Sequence, residues 1–136
     1  MSRFLADSFS ATPPTGIAAI FARWQAAQQE VDRRRKLSFD ADDAMIATPK
    51  TAPLAERVRL EEARRQSEAN LQDAEQARNG IEEEIFAAPA TDGPSIAMQL
   101  QIVRAVLIQE VEWTDDHFEV IALDRAVAFL SAQKGA

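Results

Sequence analysis

The sequence predicts an all-α protein, and three observations lead to that prediction. The 136 residues include only four glycines and no tyrosine, while alanine, glutamate, glutamine, arginine and leucine dominate the middle of the chain. That composition favours helix. Apolar residues recur at steps of three and four, which is the spacing of one helix face. Prolines fall between these periodic stretches, where a helix must end.

The first helix is predicted over residues 12–36, after a flexible N-terminal arm at residues 1–11. It starts at the sequence TPPT (residues 12–15), where threonine can cap and proline is tolerated in a first turn. Its apolar face consists of Ile17, Ile20, Phe21, Trp24, Ala27 and Val31. The basic run Arg33, Arg34, Arg35 and Lys36 lies at its predicted C-terminal end, where cations complement the helix dipole.

A short helix is predicted over residues 40–47, started by Asp40 and stopped by Pro49, and the longest helix over residues 52–88. The second half of this long helix carries a heptad-like seam typical of a coiled coil, formed by Leu71, Ala74, Arg78, Ile81 and Ile85. Asn79-Gly80 is its weak point, because glycine costs about 1 kcal/mol relative to alanine inside a helix. We expect a continuous helix, and a kink at Gly80 stays open.

The last two helices are predicted over residues 95–112 and 115–133. The third is apolar around more than half its circumference, so it is expected to form the buried centre. For the fourth, Thr114 is the predicted cap, and Trp113 and Phe118 have the spacing of a hydrophobic staple. Its mostly apolar face consists of Phe118, Ile121, Ala122, Arg125, Val127, Ala128 and Phe129. The expected architecture is an antiparallel bundle with one long helix, forming a single domain over residues 12–136.

Two segments about forty residues apart have nearly the same pattern, MIATPKTAPLA (residues 45–55) and IFAAPATDGPSIA (residues 85–97). In each, a proline ends one helix and a threonine, Thr51 or Thr91, can cap the next. Two interpretations stay open. The segments are either two ordinary helical corners or the trace of an internal duplication whose halves pack with pseudo-symmetry.

The aromatic first helix (IFARWQAAQQEVD), the corner pattern A-T/A-P-x-T and an apolar helix containing Arg104 resemble a class of small uncharacterised bacterial helical proteins. Such proteins are often encoded in prophage-like regions. The resemblance covers residues 16–130, although this chain has a longer charged middle helix and a second corner. It implies a helical accessory protein and supplies no catalytic residues.

Several chemistries have no basis in the sequence. Cysteine is absent, so thiolate catalysis, thiolate metal sites and disulfides are excluded. The single histidine, His117, cannot supply the paired Glu-x-x-His motifs of a di-iron bundle, and no Gly-rich phosphate loop exists. The longest apolar stretch is too short and too polar to span a bilayer. We therefore expect a cytoplasmic protein with no cofactor, no metal and no membrane partner.

Charge and helix length lead to the expected function. Residues 1–36 carry six cations against three acids, within a chain of net charge -7. Arg33, Arg34, Arg35 and Lys36 therefore form the candidate anion-binding site, although nucleic acid is not the expected partner of so acidic a chain. A helix over residues 52–88 would be about 55 Å long, longer than the roughly 37 Å diameter of a globule of this size. It must therefore protrude, be covered by the first helix, or pair with another chain.

The leading hypothesis is a non-enzymatic helical interaction or accessory protein that acts as an adaptor or assembly factor. It is expected to bind a protein partner or to self-associate, with a homodimer through the Leu71–Ile85 seam favoured. The alternative is a nucleic-acid-associated regulator that uses the basic end of the first helix. A metal-assisted enzyme centred on His117 is the third hypothesis.

Overall fold

A computed structural model describes residues 16–133, and its regular elements are four α-helices: α1 (Ile17–Ala47), α2 (Leu54–Ala87), α3 (Gly93–Gln109) and α4 (Phe118–Ser131). No strand occurs among these described residues, and the all-α prediction is confirmed. The predicted arm at residues 1–11 and helix start at residues 12–15 lie outside them. No helix within residues 16–133 is long and apolar enough to cross a membrane.

The described residues group into two compact units. The hairpin unit is the stretch Arg23–Ile81, and the terminal unit joins residues 16–22 to residues 82–133. The hairpin unit contains most of α1 and α2, and the terminal unit contains all of α3 and α4.

The prediction of a break after Lys36 is wrong, because α1 continues without interruption to Ala47. The stretch between the two predicted helices contains neither glycine nor proline. An ion pair across one turn supports it, with Lys36 Nζ 3.1 Å from Asp40 Oδ2. Asp40 is therefore a residue of the helix interior and not a cap. The basic run likewise lies inside α1, so its predicted role at a helix C-terminus is also wrong.

Within the hairpin unit, α1 and α2 run antiparallel. Three contacts set this direction: Arg78 Nη1 donates to Gln28 Oε1 (3.3 Å), Arg35 Nη2 to Glu75 Oε2 (3.3 Å) and Arg34 Nη1 to the carbonyl oxygen of Asn70 (2.8 Å). Residues further along α1 thus meet residues nearer the start of α2. The unit buries Trp24, Val31 and Ser38 of α1, which are spaced seven apart, and Ala74 and Arg78 of α2.

The helix α2 is continuous through Asn79-Gly80, as expected, and spans Leu54–Ala87 instead of residues 52–88. The helix α2 is not the single long helix that the sequence predicts, because α1, with 31 residues, is almost as long as α2, with 34. Asn70 and Arg78 of α2 both contact α1, and these contacts show how this part of α2 is covered. Its partner is the first helix of the same chain.

In the terminal unit, α3 begins two residues earlier than predicted. The predicted cap Thr91 is wrong, because Asp92 is the N-cap and its Oδ1 accepts the backbone N–H of Ser95 at 2.9 Å. The start of α3 lies against the end of α4. A Cβ placed on Gly93 would be only 2.6 Å from the carbonyl oxygen of Leu130, so glycine permits this close approach.

The prediction that α3 is a buried centre holds only for one side of the helix. Gly93, Ala97 and Ile102 are buried, whereas most of its other apolar side chains are half-buried and Ile96 is exposed. The helix ends at Gln109 and not at residue 112. The apolar circumference of α3 therefore predicts that the helix is covered on most sides. The described residues of the chain cover it only in part.

The start of α4 differs most from the prediction. The helix begins at Phe118, with His117 at the N-cap position, so Thr114 is not the cap. Trp113 stacks on the His117 ring, with ring centroids 5.4 Å apart, in place of the predicted staple with Phe118. The side chain of Phe118 is 77% exposed, so the staple prediction is wrong.

Candidate interaction surface

The predicted anion-binding run is neutralised by acids within its own unit. Each of its cations has a carboxylate partner: Arg33 and Arg34 bind Glu30, Arg35 binds Asp32 and Glu75, and Lys36 binds Asp40. Hydrogen bonds from Arg33 and Arg34 lower the pKa of Glu30 to about 2. These acids offset the positive charge of the run, so it attracts a phosphate less strongly than its sequence indicates.

The predicted self-association seam is largely covered within the single chain. Ala74, Arg78 and Ile85 are 6%, 4% and 0% exposed, and Leu71 and Ile81 are half-buried. Arg78 reaches Gln28 of α1, so in the hairpin unit the seam faces the chain's own first helix. A second copy could reach Ala74 and Arg78 of this face only if the hairpin opened.

The helix α4 has apolar side chains on two opposite sides. One side consists of Val120, Leu123, Val127 and Leu130, of which Val120 is fully buried and the others are half-buried. The other side, here called the outer face of α4, consists of Phe118, Ile121, Ala122, Arg125 and Phe129. Phe118 is 77% exposed, Phe129 67% and Ile121 37%. Large apolar side chains grouped on one exposed face are typical of an interaction site.

The outer face is carried by a helix that the rest of the terminal unit holds in place. The guanidinium of Arg104 on α3 donates to Asp124 Oδ1 of α4 at 2.6 Å and to Asp115 Oδ1 of the preceding loop at 2.7 Å. Both acceptors are carboxylates, which form the stronger class of hydrogen bond. One arginine thus ties α3, α4 and their connecting loop together, while the close approach at Gly93 fixes the other end.

The loop before α4 is ordered by its own polar groups. The Thr114 hydroxyl donates to Asp116 Oδ1, and this hydrogen bond lowers the pKa of the Asp116 carboxyl. The backbone N–H of Thr114 donates to His117 Nδ1 at 3.0 Å. Because Nδ1 accepts this bond, the proton of the neutral ring lies on Nε2. His117 therefore has a structural role in the loop.

The hypothesis of a metal centre at His117 receives no support from the geometry of this loop. Across residues 16–133, no group of three or more His, Asp or Glu side chains is arranged to hold a metal ion. The chemistry that the terminal unit offers is therefore an exposed apolar helix face, bordered by acids at its N-terminal end.

The sequence contains the signal for this face, although the signal is ambiguous. The positions of Phe118, Ile121 and Phe129 predict an apolar side of α4, and Val120, Leu123 and Val127 predict a second one. Periodicity alone does not say which of the two packs inside the chain. Comparisons with protein-family models, with curated proteins and with solved structures find no match.

Proposed function

We propose that this protein is a non-enzymatic helical interaction protein that self-associates through the outer face of α4 and acts as an adaptor or assembly factor. The observation that supports the proposal is the exposure of Phe118 and Phe129 on a helix whose opposite side already packs in the chain. Leaving two phenylalanine side chains in water is unfavourable, and a partner that covers them recovers the hydrophobic free energy.

The spacing of the outer face suits a second copy of the same helix. If two α4 helices pack antiparallel about a two-fold axis between residues 123 and 124, Phe118 of one copy lies opposite Phe129 of the other. The same axis places Ala122 opposite Arg125. The small alanine leaves room for the aliphatic part of the arginine, whose charged end can stay in water. A two-fold contact of this kind uses one patch twice and closes as a dimer.

The exposed area of the two phenylalanines sets an upper bound on the free energy of association. A phenylalanine side chain of roughly 200 Å² that is 77% exposed leaves roughly 150 Å² to be covered at Phe118. At about 25 cal/mol per Å², covering it contributes at most about 4 kcal/mol per copy. Phe129 adds a similar amount, and both terms count twice in a symmetric dimer. The sum must exceed the loss of translational and rotational freedom, roughly 4–15 kcal/mol.

The test is molar mass in solution, by light scattering behind size exclusion over a range of protein concentrations. The wild-type protein is expected to approach twice 15.0 kDa at high concentration, and the double variant Phe118→Ser/Phe129→Ser to remain near 15.0 kDa. Phe39→Ser is the matched control, because Phe39 is 59% exposed but lies on α1. A wild type that stays monomeric throughout, or a double variant that dimerises as well as the wild type, would refute the proposal.

The nucleic-acid alternative draws less support, because every cation of the Arg33–Lys36 run is paired with an acid. It predicts binding that falls steeply with salt and is lost when these four cations are neutralised. Binding that survives both changes would dispose of it.

A further inference from the structure

The corner between α1 and α2 contains an open pocket of about 250 Å³. We call it the corner pocket, and it is lined by Met45, Thr48, Pro49, Lys50, Arg57 and Leu60. All six residues belong to the hairpin unit. The lining combines three apolar side chains with two cations, a mixture that ordinary helix–helix packing does not require.

Three hydrogen bonds order the corner around this pocket. Pro49 follows the end of α1, and its carbonyl oxygen accepts the N–H of Ala52 at 3.0 Å, which closes the turn. The Thr48 hydroxyl donates to the carbonyl oxygen of Ala44 at 2.7 Å. Arg57 Nε donates to the carbonyl oxygen of Ala52 at 3.1 Å. This bond fixes the root of the guanidinium group and leaves its two terminal nitrogens for another acceptor.

The cations of the corner differ from five arginines elsewhere in the hairpin unit. Arg33, Arg34, Arg35, Arg64 and Arg65 all form ion pairs with carboxylates. Within the described residues, no ion pair involves Lys50, Arg57 or Arg59. The corner, residues 44–60, contains these three cations and one acid, Glu56, in a chain of net charge -7. Asp42, Asp43, Glu61 and Glu62 border this stretch in the sequence, so the positive charge is confined to the pocket lining, which includes Lys50 and Arg57 and no acid.

Apolar side chains are also exposed around the corner. Ile46, which follows Met45 of the lining, is 82% exposed, and Leu54, the first residue of α2, is 66% exposed. A ligand that matches the corner must therefore offer apolar atoms and negative charge together. A free inorganic anion would leave the apolar lining uncovered, and a neutral apolar ligand would leave the cations without a counter-charge.

We propose that the corner pocket binds an acidic peptide segment of a partner protein. One large apolar side chain of the segment lies against Met45 and Leu60, and neighbouring Asp or Glu carboxylates bind Lys50 and Arg57. The pocket volume matches one large side chain, and a guanidinium with two unused terminal nitrogens suits a carboxylate in bidentate geometry. The site is concave, so it can enclose a side chain of a peptide. Binding to a lipid surface needs no pocket, because a convex apolar tip is sufficient for it.

This proposal does not depend on self-association through α4, because the pocket and the outer face lie in different units. The direct test uses a fluorescein-labelled peptide EDDFLDE and measures its anisotropy against full-length protein. Two control peptides separate the requirements: NQNFLNQ removes the charge, and EDDSSDE removes the apolar side chains. Saturable binding of EDDFLDE alone is expected, and comparable binding of either control peptide would overturn the proposal.

Protein variants then locate the site. Arg57→Gln is expected to weaken binding about tenfold or more, as loss of a charge-assisted hydrogen bond does. Arg59→Gln is the matched control. It removes the same charge two positions further along the chain, from a side chain that does not line the pocket. It is expected to change the affinity less than about threefold, the effect of one screened exposed charge. Equal losses in the two variants would show non-specific attraction and overturn the proposal.

Phosphatidylglycerol vesicles test the other class of partner. Vesicle binding that requires Ile46 and Leu54, together with no saturable binding of EDDFLDE, would replace the peptide site with a membrane-surface site. Repeating the peptide titration with Phe118→Ser/Phe129→Ser separates the two proposals of function. Undiminished binding by this variant is expected, whatever the oligomeric state of the wild type.

Discussion

The same substitution, glycine to alanine, is expected to have opposite effects at two helical positions. Gly93 is the first residue of α3, and a Cβ there would be 2.6 Å from the carbonyl oxygen of Leu130 and 2.6 Å from Gln133 Oε1. The glutamine side chain can move aside, but the Leu130 oxygen belongs to the backbone of α4. Gly93→Ala therefore forces α4 away from α3 and should lower the free energy of unfolding by about 1–3 kcal/mol, the usual cost of overpacking.

Gly80 is the matched position. It lies inside α2, and a Cβ there would meet nothing within 4 Å. Alanine costs no contact at this site and has the higher helix propensity, so Gly80→Ala should raise the free energy of unfolding by about 1 kcal/mol. The two variants should thus differ by about 2–4 kcal/mol although their chemical change is identical.

Urea denaturation followed by circular dichroism measures both variants. Tryptophan fluorescence adds a probe in each unit, because Trp24 lies in the hairpin unit and Trp113 in the terminal unit. If the units unfold separately, Gly93→Ala should shift the transition that Trp113 reports and Gly80→Ala the one that Trp24 reports. A Gly93→Ala protein as stable as the wild type, or a destabilised Gly80→Ala protein, would refute the packing argument.

Two further predictions concern a carboxylate and a cap. Hydrogen bonds from Arg33 and Arg34 depress the pKa of Glu30 from 4.5 to about 2, so the stabilisation by this carboxylate is complete above pH 4.5 and is lost as the pH falls towards 2. Carboxyl ¹³C NMR should find a titration midpoint of about 2 for Glu30. The variant Glu30→Gln should lose this part of the acid sensitivity of folding. A midpoint near 4.5 would contradict the ion pairs. Asp92→Ala should lower the free energy of unfolding by about 1 kcal/mol, because the N-cap is lost, and Thr91→Ala should change it little in the same denaturation assay. Equal losses would mean that Asp92 is not the cap.

Local periodicity was enough to predict the fold class and most of the α2 face. The seam from Leu71 to Ile85 is a buried or half-buried face, as its spacing indicates. Its partner could not be predicted in the same way, because a heptad pattern records that a face is covered and not which helix covers it. The contact between Arg78 and Gln28 joins residues fifty positions apart, beyond the range of any local pattern.

Helix ends were predicted less well, because they depend on competition between neighbouring residues. Thr91 and Asp92 both suit an N-cap, and only the backbone conformation decides that Asp92 takes the position. Before α4, Glu112 adopts a left-handed conformation with φ of 60°, and Trp113 stacks on His117. These features redirect the chain, so the helix starts three residues after the predicted position. A sequence pattern does not contain them.

The internal duplication stays a prediction, and the two corners begin their helices differently. At the second corner the Asp92 side chain caps the helix. At the first corner the carbonyl oxygen of Pro53 accepts the N–H groups of Glu56 and Arg57, both at 3.1 Å. The shared sequence pattern therefore places a helix boundary at both corners without dictating one common geometry.

The division of the chain into two units has a consequence for its synthesis. The hairpin unit is one uninterrupted stretch, Arg23–Ile81, whereas the terminal unit joins residues 16–22 to residues 82–133. On a ribosome, every residue of the hairpin emerges before any of residues 82–133, and helix pairing across a short turn is fast. Residues 16–22, although made earlier than the hairpin, can pack within their unit only after residues 82–133 have been made. During translation the hairpin is therefore complete, and able to pair its helices, before the terminal unit is complete.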